Sequence, residues 1–214
     1  MKTTRFCLVR HGETDWNVAR RLQGHTDIDL NVRGVAQAEQ MARALQKINL
    51  QFDVLYTSDL QRAAKTAREI ERLFNATAVV SSALRERHLG ALQGLTMSDA
   101  PKIEPELWRS HIDRNLNEEL RGGESIIQFS TRIKEALDQI RQQHIGKTIL
   151  IVSHGGALDM MYRLASNQPL DSEKVVAVPN ASLNWISHDG KNWKVDGWGD
   201  TSHLESLALD NLDL

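Results

Sequence analysis

Short apolar runs at Phe6 to Val9, Val54 to Tyr56, Ala78 to Val80 and Thr148 to Val152 punctuate this chain. Between them lie longer stretches whose apolar residues recur at helical spacing, near Arg33 to Ile48, Leu60 to Phe74, Glu124 to Gln143 and Ala157 to Ala165. Runs that short without polar alternation predict buried strands, and the alternation of strand with helix predicts an α/β fold: a doubly wound three-layer sandwich with a mostly parallel sheet. Farther on, Leu183 to His188 and Trp193 to Trp198 are joined by Asp189-Gly190-Lys191-Asn192, which predicts a hairpin added to the sheet. From about Thr201 onward Leu mixes with Asp and Ser, as in a loose tail, with a flap over a pocket as the alternative. No repeat or low-complexity linker interrupts the pattern, so residues 1–214 are expected to form a single domain. The segment 96–123 fits neither period and is expected to be a small helical cap insertion.

The polar residues that end these strands carry the chemistry. The first run ends in Arg10-His11-Gly12, and the run Thr148 to Val152 ends in Ser153-His154-Gly155-Gly156 before a helix. In open α/β sheets ligands bind beyond the carboxyl ends of strands, where the amides opening the next helix attract anions, so the two histidines can meet there. A neutral imidazole attacks phosphorus once the oxygens around it are neutralised, and an adjacent guanidinium suits that task. A solvated helix lead-in is the alternative for Arg10-His11-Gly12 taken alone. A third strand ends in Thr57-Ser58-Asp59, where Ser58 or Asp59 could cap the following helix and place Arg62 in its first turn. There Arg62 is either a second phosphate clamp or a surface arginine on an amphipathic helix.

Four segments in order resemble the histidine phosphatase superfamily and its phosphoglycerate mutase-like branch. They are Leu8-Val9-Arg10-His11-Gly12-Glu13-Thr14 with Asn17, Thr57-Ser58-Asp59-Leu60-Gln61-Arg62-Ala63 with Thr66-Ala67, Leu84-Arg85-Glu86-Arg87-His88-Leu89-Gly90, and Ser153-His154-Gly155. The resemblance implies the phosphoglycerate mutase-like fold and a nucleophilic His11 whose other ring nitrogen donates to a backbone carbonyl. It implies that Arg10, Arg62 and His154 hold the phosphoryl oxygens and keep His11 neutral, and that Glu86 serves as general acid and then base, with a pKa raised by burial or offset by nearby charges. Glu13 is the rival acid, or a brace for an arginine. Asn17 is implied as a phosphate contact, and Gln23 and Gly24 as part of the substrate wall beside Gly155. No cofactor is implied.

Composition narrows the setting. The 214 residues are 41% hydrophobic and 25% charged with a formal net charge of −2, which speaks against nucleic acid or a membrane surface as partner, since both reward a basic face. The lone Cys7 lies in the first strand, where it is expected to be buried and inert, and cannot form an intrachain disulfide. The start of the chain has no signal-peptide pattern and no run reaches membrane-span length, so the cytoplasm is the expected location. His25, His88, His111, His144, His188 and His203 are scattered without ligand spacing, so no metal site is expected. Residues 96–123, with Trp108, Lys102, Arg109, Arg114 and Arg121, lead into Gly122-Gly123-Glu124-Ser125. The resemblance makes this short form the phosphatase type. The expected function is therefore a phosphomonoester hydrolase acting on a small phosphorylated metabolite. A cofactor-dependent phosphoglycerate mutase is the alternative, and an inactive relative that binds phosphorylated ligands a third reading. A homodimer is open.

Overall fold

A computed structural model describes residues 2–173 and 176–204. In chain order its strands are β1 (Thr4–Arg10), β2 (Val54–Thr57), β3 (Ala78–Val80), β4 (Thr148–Ser153), β5 (Leu183–His188) and β6 (Trp193–Asp200). The helices are α1 (Asp15–Val18), α2 (Val32–Lys47), α3 (Gln61–Phe74), α4 (Ala100–Ile103), α5 (Pro105–Ile112), α6 (Ile126–Gln143) and α7 (Gly155–Ser166). One six-stranded sheet runs in the order β3-β2-β4-β1-β5-β6, in which β5 alone runs against the other strands, pairing antiparallel with β1 on one side and β6 on the other.

The continuous apolar runs of β1, β2 and β4 occupy the centre of the sheet because both faces there are covered, whereas Ala78 to Val80, expected to be buried, is the edge strand β3 with Val79 and Val80 exposed. Along β1, Phe6 and Leu8 enter the core that α6 and α7 close, while Cys7 and Val9 enter the core that α2 and α3 close. All four are fully buried, and burial pushes the Cys7 thiol far above its ordinary pKa, which leaves it inert. A third, smaller cluster joins Ala100 and Leu107 of α4 and α5 to Leu89, Leu92 and Leu120. No helix among the described residues is long and apolar enough to cross a membrane.

Two local expectations are corrected. Neither Ser58 nor Asp59 caps α3: Leu60 occupies the cap position with no side-chain hydrogen bond. Asp59 instead takes a two-pronged ion pair from Arg85 at 2.7 and 2.5 Å, and the Ser58 hydroxyl is drawn toward His154. The tail does not loosen at Thr201. Ser202–Leu204 form a turn of 3-10 helix, Leu204 is 1% exposed in the α2–α3 core, and His203 Nε2 donates to the Ala181 carbonyl at 3.0 Å. The remainder of the proposed tail or flap lies outside the described residues.

Candidate active site

The register of β1 on β4 sets the site. Arg10 pairs with Ser153, so His11 and His154 leave the sheet side by side, and the His11 amide donates to the Ser153 carbonyl at 3.0 Å. Their ring centroids stand 5.2 Å apart. Gly12 follows because a Cβ there would sit 2.3 Å from the Gly34 carbonyl oxygen in the first turn of α2.

The His11 Nδ1 lies 2.7 Å from the Gly12 carbonyl, which can only accept, so Nδ1 carries the proton and Nε2 keeps its lone pair. Burial, then the Arg62 and Arg10 charges, hold the His11 pKa well below the ordinary histidine range. The ring is thus neutral, fixed in orientation and carries an unprotonated Nε2. His154 takes the opposite tautomer: Arg62 Nε donates to its Nδ1 at 3.2 Å, so its Nε2–H donates to Ser58 Oγ at 2.9 Å. Burial, then the Arg62 charge, then His11, depress its pKa as well.

Arg62 stands in the first turn of α3, as the sequence predicts, and is 1% exposed. Its Nη1 donates to the Thr26 carbonyl at 2.9 Å and its Nη2 to the Gly24 carbonyl at 2.8 Å, so the loop around residues 23–27 holds the guanidinium in place. Arg10 is fully buried with Nη1 on the Val178 carbonyl at 2.6 Å. Asn17 closes a capping box with Thr14, and its buried Nδ2 has no hydrogen-bond partner among the described residues. That donor is available to an anion.

Glu86 sits at the N-terminus of α7. Its Oε2 accepts from the Gly156 amide and its Oε1 from the Arg87 amide, both at 2.8 Å. A helix start attracts a carboxylate, and His154, in the cap position of α7, offers no side-chain cap of its own. Gly156 permits the approach, since a Cβ there would lie 2.3 Å from Glu86 Oε1. The rival carboxylate is engaged elsewhere: Glu13 accepts from Asn31 Nδ2 at 3.0 Å and lies 4.0 Å from Arg33 Nε, the bracing alternative.

These elements enclose a cavity of about 680 Å³, lined by His11, Asn17, Gln23, Gly24, Arg62 and Glu86 among others. Arg10, His154 and Gly155 are not in its wall: Arg10 and His154 are fully buried, His154 beside the wall residue His11, and Gly156 takes the wall position next to Gly155. The lining also includes Met97, Trp108, Phe129 and Met160, with Arg87, His111 and Arg114 among them. Burial lowers the Arg87 guanidinium to about 10. Among the described residues, no three or more His, Cys, Asp or Glu are grouped so that they could hold a metal ion.

Four groups have roles that the sequence does not announce. Ser58 holds His154, the Thr26 and Gly24 carbonyls hold Arg62, and Asn180 Nδ2 donates to the His11 carbonyl at 3.0 Å. Two are backbone groups, which no residue type announces. Asn180 has only Pro179 before it as a turn signal.

The model of the histidine phosphatase superfamily, branch 1, matches residues 6–201. The chain belongs to this superfamily. Curated relatives include phosphoglycerate mutase-like protein 4 of Arabidopsis thaliana, 39% identical over 94% of this chain and 87% of that protein. The metal-independent phosphoserine phosphatase of the same plant is 38% identical over 97% and 86%. A probable phosphoglycerate mutase GpmB of Serratia proteamaculans is 35% identical over 96% and 97%. Among solved structures, Bacillus stearothermophilus YhfR superposes with a TM-score of 0.86 at 32% identity, over 94% of this chain and 99% of that one. A mycobacterial glucosyl-3-phosphoglycerate phosphatase complexed with VO3 gives 0.82 at 28%, over 92% and 99%. The phosphoglycerate mutase-like α/β fold expected from the resemblance is the one these superpositions share.

Two buried neutral histidines make stability depend on pH in a definite direction. Below the ordinary value of 6.5 the unfolded chain binds protons at His11 and His154 that the folded chain refuses, so stability falls as pH drops through that value. The slope is ~1.4 kcal/mol per pH unit for each histidine. Urea unfolding at pH 7.5, 6.5 and 5.5 checks this; a midpoint that does not move between the lower two contradicts it.

Proposed function

We propose that this chain is a phosphomonoester hydrolase that turns over through a phosphohistidine at His11. The observation that supports this most is the neutral His11 ring, with Nε2 unprotonated, in the same cavity wall as the Glu86 carboxylate. In the first step the His11 Nε2 lone pair forms an N–P bond as the ester P–O bond breaks, and protonated Glu86 gives its proton to the departing oxygen. In the second, water attacks the phosphohistidine, Glu86 takes its proton, and inorganic phosphate leaves with His11 restored. Arg10, Arg62 and the Asn17 Nδ2 stabilise the phosphoryl oxygens during both transfers. His154 is assigned to the same task, its Nε2–H exchanging Ser58 for a phosphoryl oxygen. Gln23 and Gly24 wall the phosphate end, and Gly155 opens the helix behind it.

Residues 96–123 are read as the cap of a single domain and as the part that selects the ester. The cavity, at about 680 Å³, falls within the range of pockets that take drug-sized ligands. Met97, Trp108, Phe129 and Met160 give an apolar bed to the organic part of the substrate. Trp108→Ala is expected to lower kcat/KM for aryl or other bulky phosphomonoesters by up to about tenfold, the range of one aromatic contact, and to leave a three-carbon phosphate ester nearly unaffected. Equal loss on both classes removes the cap from substrate selection.

The mycobacterial phosphatase and the plant phosphoserine phosphatase support hydrolysis, and the relatives named as probable phosphoglycerate mutases make isomerisation the alternative. A panel of phosphomonoesters, beside 3-phosphoglycerate with bisphosphoglycerate, separates the two. Phosphate release without isomerisation is expected. Fast isomerisation with negligible release overturns the reading, and binding without either reaction leaves a binding protein.

A further inference from the structure

One side chain outside the cavity wall grips the whole segment that presents Glu86. Arg132, in the second turn of α6, spends all five of its N–H donors on that segment and on Glu124. Its Nη1 donates to the Ala83 carbonyl at 2.9 Å and to the Arg85 carbonyl at 3.1 Å. Its Nη2 donates to the Glu86 carbonyl at 3.0 Å and to Glu124 Oε2 at 2.8 Å, and its Nε to Glu124 Oε1 at 2.7 Å. Glu124 closes the ring: its Oε2 also accepts from the His88 amide at 2.8 Å, and its own amide donates to the His88 carbonyl at 2.8 Å.

The consequence falls on Glu86 from both ends. The amides of Arg87 and Gly156 hold its carboxylate, while Arg132 and His25 Nε2, the latter at 2.8 Å, hold its carbonyl. A planar guanidinium with five fixed donors can bridge three carbonyls and a carboxylate at once; an ammonium with three donors cannot. Phe129 lies under the same guanidinium, 5.1 Å from ring centroid to Cζ, and itself lines the cavity. Arg87 ties in the far side, donating to the Glu124 carbonyl at 2.8 Å and the Glu118 carbonyl at 3.1 Å, so the 113–123 loop is anchored to the same unit.

We infer that Arg132, paired with Glu124, is the positioning residue for the proton donor Glu86, fixing its carboxyl against the leaving oxygen of the ester. The inference rests on the hydrolase reading above. An arginine that only stabilised the fold would depress every activity together, whereas one that sets the donor matters in proportion to how much the leaving group needs a proton. A misplacement of about 1 Å costs on the order of 10²-fold in rate.

The test compares Arg132→Lys and, as a second variant that keeps its volume, Glu124→Gln, on two substrates. In p-nitrophenyl phosphate the leaving oxygen departs readily as an anion; in glycerol 3-phosphate it needs protonation. For each variant kcat/KM, which reports the step in which the leaving oxygen departs, is expected to fall about 10²-fold on glycerol 3-phosphate and less than about threefold on p-nitrophenyl phosphate, with orthovanadate inhibition unchanged. Equal losses on both substrates, or none, in the variant that retains wild-type circular dichroism overturn the inference. If the wild-type protein releases phosphate from neither ester, the hydrolase reading fails first and takes this inference with it.

Discussion

Replacing His11 with alanine is expected to reduce phosphate release by ~10⁴-fold or more, the scale seen when a covalent nucleophile is removed from a preorganised site. The fold is expected to survive, because the hydrogen bond that joins His11 to Ser153 is made by the backbone amide and remains. Arg10, Arg62 and the Asn17 amide remain as well, so orthovanadate is expected to bind His11→Ala within about tenfold of its wild-type affinity. Steady-state assay of the variant on p-nitrophenyl phosphate, with vanadate titration beside it, makes the check. Turnover within tenfold of wild type, in a protein free of wild-type contamination, removes His11 from the chemistry.

Glu86→Gln carries the second large effect and separates chemistry from binding. Glutamine keeps an oxygen to accept from the Gly156 or Arg87 amide but holds no transferable proton. The loss of general acid–base catalysis is worth ~10²–10⁴-fold in kcat. That loss is expected on alkyl phosphates, with inhibition by inorganic phosphate nearly unchanged, since glutamine replaces a protonated acid and the groups assigned to the phosphate, Arg10, Arg62 and Asn17, are untouched. Parallel loss of turnover and phosphate binding contradicts the role assigned to Glu86.

Much of this arrangement was legible in the sequence for one physical reason. A strand buried on both faces must be continuously apolar, so the residue at which its run stops marks the sheet edge, and Arg10-His11 and Ser153-His154 stood at two such stops. Their meeting follows from two central strands with aligned ends, and the 5.2 Å between the rings is that alignment measured. Arg62 was legible through the helix that carries it. The helix cap is not legible, because Ser58 and Asp59 look like caps in sequence, while tertiary partners, His154 and Arg85, claim their oxygens. The Arg132–Glu124 clamp was invisible because it acts mostly on backbone carbonyls of a segment with no period, and arginine on a helix ordinarily reads as solvated. The packed Leu204 is not legible for a similar reason: a short 3-10 turn has no sequence period long enough to recognise.

The hydrogen bond between His11 Nδ1 and the Gly12 carbonyl leaves Nε2 as the ring nitrogen with a lone pair, the one the proposed mechanism uses. Trapping the steady-state intermediate with an alkaline quench, which preserves the acid-labile N–P bond, and locating the phosphoryl group by peptide mass spectrometry and phosphorus NMR tests this directly. Phosphate is predicted on Nε2 of His11, and on no other residue. Phosphate on His154, or steady turnover with no phosphohistidine in the trapped protein, would contradict the account.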